Sequence, residues 1–65
     1  MKSELDILEK IEALQAHNRN MTDEIEMILK KSSITQGDRS THALYKQKIS
    51  DNQKQIDALR WVLRN

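Results

Sequence analysis

Apolar residues in the first half of the chain recur at alternating steps of four and three: Ile7, Ile11, Leu14, Met21, Ile25 and Ile28, with Asn18 at the one polar step. That spacing lines one face of an α-helix and constitutes a heptad seam. Ser3-Glu4-Leu5-Asp6 suits the helix start, because the serine oxygen can accept a free backbone N–H and an acid sits three residues later. Met21-Thr22-Asp23-Glu24 offers a second start with Thr22 as cap. The seam stays in register across it, so one continuous helix is expected over about residues 3–32.

The pattern breaks in Ser32-Ser33-Ile34-Thr35-Gln36-Gly37-Asp38-Arg39-Ser40-Thr41, a cluster of turn and cap formers around the sole glycine. A loop over about 33–39 is predicted, with Gly37 supplying a positive φ. Asp38, Ser40 or Thr41 would cap a second helix over about 40–63. There the seam resumes at Tyr45, Ile49, Ile56, Leu59 and Leu63, again with one polar step, Asn52.

When such a chain folds back on itself, the numbers of facing residues have a constant total. A total of 70 pairs Ile7 with Leu63, Ile11 with Leu59, Leu14 with Ile56, Met21 with Ile49 and Ile25 with Tyr45. The same register sets Asn18 against Asn52 and Ile28 against His42. Totals of 73 or 74 also pair apolar with apolar, but they set each asparagine against Met21 or Ile56. An asparagine facing an aliphatic side chain buries unpaired amide groups, so Asn18 and Asn52 are expected to fix the register. Glu24 and Lys48 would flank this seam. The predicted fold is all-α: an antiparallel two-helix coiled-coil hairpin forming a single domain over residues 1–65.

Sixty-five residues bury little surface, and small chains usually need disulfides, a metal or self-association for stability. Cysteine is absent, and His17 and His42 lack ligand-spaced neighbours, so no cofactor or metal is expected. Dimerisation into a four-helix bundle-like assembly is the expected remedy. Leu5, Leu8, Leu29, Leu44, Ala58, Trp61 and Val62 lie off the seam, with nothing in a lone hairpin to cover them, and are the candidate interface. A mean hydropathy of −0.80 and the lack of a long apolar run argue against a membrane span. Acids follow closely on the first residues, so no signal peptide is expected and the cytoplasm is the default setting.

Net charge is only +1, but it is divided. Up to Ser33 seven acids oppose five bases, and from Ile34 onward six bases oppose three acids. That division suits two segments that attract each other better than a general nucleic-acid binder. Lys30, Lys31, Arg39, Lys46 and Lys48, with His42 nearby, cluster near the loop and form a candidate anion-binding end. No nucleophile with its base and no phosphate-cradling loop is visible, so the chain is not expected to be an enzyme.

The size, the lone loop glycine and the polar helix text Leu14-Gln15-Ala16-His17-Asn18 and Ile49-Ser50-Asp51-Asn52-Gln53-Lys54-Gln55-Ile56 resemble the small helical-hairpin accessory proteins encoded between the exonuclease and excisionase genes of lambdoid phages. The resemblance covers the whole chain in outline and transfers no binding residue. It implies an early phage protein that biases host decisions through contacts with a host protein. Plasmid RNA-regulator hairpins that dimerise into four-helix bundles share the architecture alone. The expected function is a regulatory protein-interaction module, with a homodimeric RNA- or DNA-binding hairpin as the alternative.

Overall fold

The computed structural model describes residues 3–64 and contains two helices, α1 (Glu4–Leu29) and α2 (Gln36–Arg64), packed against each other as an all-α hairpin. Its long dimension is 49 Å, against 15 and 14 Å across. Ser3 caps α1, its hydroxyl accepting the Asp6 N–H at 3.2 Å, as the sequence predicts. Helix α1 runs unbroken through Met21 and Thr22. The Thr22 hydroxyl does not cap a new helix there; it donates to the Asn18 carbonyl at 2.8 Å.

The turn falls earlier than the composition suggests. Helix α1 ends at Leu29 rather than near residue 32, and α2 begins at Gln36 rather than near residue 40. Neither Asp38, Ser40 nor Thr41 is the cap; Thr35 is. Its hydroxyl accepts the Asp38 N–H at 3.1 Å, while the Asp38 carboxylate accepts the Thr35 N–H at 3.1 Å. This reciprocal pair is a capping box with aspartate in the third position. Lys31 adds an ion pair to the same carboxylate at 3.0 Å. Gly37 is therefore not a turn residue. It sits in the first turn of α2, and no described residue has a positive φ.

The hairpin register is the one with a total of 70. The Asn52 side-chain amide donates to the Asn18 side-chain oxygen at 3.0 Å, and the Asn18 amide reaches the Ile49 carbonyl at 3.4 Å. Toward the open end Ile11, Leu14 and Ile56 form the core, flanked by Ile7, Leu59 and Leu63. Toward the loop, Ile28 is buried, whereas Ile25, Tyr45 and Ile49 are half-buried. Two helices alone leave both flanks of a seam open, so only the positions pointing straight at the partner lose nearly all contact with water. Ile56 does so most fully, at 1% exposure.

Candidate interaction surfaces

The heptad spacing assigns each off-seam residue to a side of the hairpin. On α1, Lys10, Ala13, His17, Asn20, Glu24 and Met27 follow the seam along one flank, with Lys31 just beyond the helix end; on α2, Lys48, Asp51, Gln55, Ala58 and Val62 do the same. Surface depressions confirm the grouping. One is lined by Lys10, Gln55, Ala58 and Leu59 near the open end. A second runs through the middle, with His17, Asn20 and Glu24 facing Lys48, Asp51 and Gln55. A third lies between Glu24, Met27, Ile28 and Lys31 near the loop. Together they make one shallow groove along this flank.

Leu5, Leu8 and Leu29 belong to the opposite flank, where Leu29 lines a small depression with Ile34, Arg39 and His42. Trp61 lies on neither flank. It sits at the outer edge of α2, beside Asp57, Arg60 and Arg64, and is 66% exposed. The seven residues expected to form an interface are thus distributed around the hairpin. Leu44, Ala58 and Val62 are on the groove side, Leu5, Leu8 and Leu29 on the other, and Trp61 at the edge. A single flat contact cannot cover all three sets. Met27, 69% exposed on the groove side, and Ile34 in the loop were missed. Met27 was legible, lying six residues beyond the seam residue Met21 and directly before Ile28; Ile34 was obscured by its polar neighbours.

The basic loop end is less free than its composition implies. Lys31 is held by Asp38, whose carboxyl is lowered from its usual pKa by the Thr35 backbone hydrogen bond first and the Lys31 ammonium second. Lys30, Arg39, Lys46 and Lys48 are exposed, but they do not converge. Arg39 lines the depression beneath Leu29, and Lys48 lines the groove on the opposite side. Glu24, expected only as a flanking charge near Lys48, also serves Tyr45. Its carboxylate accepts the phenol hydrogen bond and raises the tyrosine pKa.

Among the described residues no group of three or more His, Cys, Asp or Glu side chains is placed to hold a metal ion. No helix there is long and apolar enough to cross a membrane. No protein-family model, curated protein or solved structure matches the chain.

Proposed function

We propose that this chain is a small non-enzymatic interaction module that pairs with itself and offers its remaining apolar surface to a foreign protein. One observation carries the reading: among the described residues four apolar side chains are buried, while eight large ones, Leu5, Leu8, Met27, Leu29, Ile34, Leu44, Trp61 and Val62, are exposed. A soluble monomer rarely spreads so much apolar surface over so small a body, and such surface marks sites of protein contact. Their division between two flanks and an edge supports two uses, one flank for a second copy and the rest for another partner. In the setting that the phage resemblance implies, that partner is a cytoplasmic host factor, and binding it is how the protein acts.

Sedimentation equilibrium tests the first half. A dimer is expected at ~100 μM, a concentration at which even a modest interface is populated; a monomer there refutes self-pairing. The nucleic-acid alternative draws on exposed Lys30, Arg39, Lys46 and Lys48, but the scatter of these cations and the engagement of Lys31 weigh against it. Binding of a short duplex that weakens steeply as salt rises would support that alternative instead.

A further inference from the structure

Helix α1 carries seven acids and two bases, whereas α2 carries six bases and three acids. Pairing of two hairpins therefore has an electrostatic preference. An arrangement that lays α1 on the second copy's α1, and α2 on its α2, brings together helices of like net charge. One that lays α1 on the second copy's α2 alternates the sign around all four helices. Two-fold symmetry permits the second arrangement when the axis runs along the hairpins, which puts both loops at the same end.

The groove side fits this arrangement at most positions, Lys10 against the second copy's Val62 at the open end being the exception. With the two copies level and face to face, Met27 meets the second copy's Leu44 near the loops, and Ala13 meets its Ala58 toward the open end. Between these apolar layers Glu24 faces Lys48, Asn20 faces Asp51, and His17 faces Gln55, each pair occurring twice. Turning one copy end over end instead brings the two Asp51 carboxylates together at the axis. The opposite flank fits less well. There Leu8 would meet Arg60 and Leu29 would meet Arg39, leaving apolar groups against guanidinium groups.

We infer that the second copy docks on the groove side with its loop at the same end, α1 of each copy lying on α2 of the other. This rests on the proposed self-pairing and adds its face and direction. Apolar contacts at both ends supply affinity, Met27 adapting its unbranched chain to Leu44. The polar middle excludes the wrong direction through like-charge repulsion. Leu5, Leu8 and Leu29 stay outside the contact and remain open to the foreign partner.

Two charge-reversed chains, Glu24→Lys and Lys48→Glu, test it when mixed. Each alone sets like charges across the proposed contact, while a mixed dimer restores both opposite-charge pairs. Like charges within each chain are the same in all species and cancel. Native mass spectrometry should find mixed dimers in roughly tenfold excess over random assortment, given two exposed pairs exchanged from repulsive to attractive.

A nitroxide label on Ser33→Cys, the only thiol in an otherwise cysteine-free chain, gives an independent reading on a protein that keeps its native charges. Loops at one end place the two labels roughly 10–25 Å apart, one helix spacing plus the label arms. An end-over-end dimer places them nearer the 49 Å length of the hairpin. Random mixing, or labels at the longer distance, overturns the arrangement while leaving self-pairing intact. A wild-type monomer overturns both.

Discussion

Replacing both Asn18 and Asn52 with leucine should raise stability, whereas replacing either one alone should not. In the wild type their side chains share one hydrogen bond of 3.0 Å and add a longer one of 3.4 Å to the Ile49 carbonyl. A net intramolecular hydrogen bond contributes about 1 kcal/mol, and the longer one less. Both residues are half-buried, so two leucines there would recover about half of the 1.5–3 kcal/mol that full burial of each supplies. The double variant should gain about 1 kcal/mol, or roughly 4–8 °C in Tm for a chain this small. A single leucine loses the shared bond and leaves the other amide facing hydrocarbon, which cancels its own gain, so the two sites should be coupled by about 1–2 kcal/mol. The assay is thermal unfolding by circular dichroism on all four proteins at one fixed concentration, since the proposed self-pairing would make Tm depend on concentration. If the two single substitutions each stabilise and their effects simply add, the amides act independently and the register argument fails. The double variant should also populate shifted registers, visible as mixed species in native mass spectrometry.

Ile56→Ala removes the most deeply buried side chain and should cost about 2–5 kcal/mol, enough to abolish a cooperative melt in a marginal fold; a melt within a few degrees of wild type would contradict the packing described. Gly37→Ala should stabilise by about 0.4–1 kcal/mol, because the position is helical and an added methyl meets only the Thr35 hydroxyl at an ordinary 3.7 Å; a lower Tm would show that the backbone there needs glycine. Thr35→Ala should cost about 1 kcal/mol by removing the cap of α2, measured by the same melt. The Asp38 carboxyl is lowered from 3.8, so its contribution is present above that pH and is lost as pH falls through the folded value. Tm measured from about pH 5 down to about pH 2 should therefore fall less for Asp38→Asn than for the wild type, and parallel curves would remove the carboxylate from the account.

The helices and their register were legible because period and layer matching are redundant signals. Five apolar layers fit one fold-back, and the two asparagines decide between it and the neighbouring registers that also match apolar with apolar. The loop was misplaced because glycine and the serine–threonine cluster carry a local preference only. Ser32, Ser33, Ser40 and Thr41 suit a turn as well as Thr35 does, and what selects Thr35 is Asp38, which completes the reciprocal cap and recruits Lys31. Once Thr35 caps, Gly37 must be helical. The candidate interface was legible residue by residue but not as a surface. Leu8 and Val62 are neighbours at the open end, yet they fall on opposite flanks, a distinction that appears only when each heptad position is assigned to a side. The tie between Glu24 and Tyr45 was hidden because Tyr45 was read as a seam residue alone, although its ring reaches past the seam to the charged flank.

A half-buried seam also bears on how long the protein survives in a cell. With four side chains buried among the described residues, a lone hairpin has little to resist opening, and each opening exposes a long, flexible, proline-free chain to proteases. Cleavage tracks the population of opened molecules, which falls steeply when a copy is paired. If copies pair as proposed, abundance becomes self-reinforcing above the concentration at which they meet, and a dilute pool is cleared. Digestion by a nonspecific protease should slow sharply as protein concentration rises across that point. A rate per molecule independent of concentration would disconnect turnover from pairing.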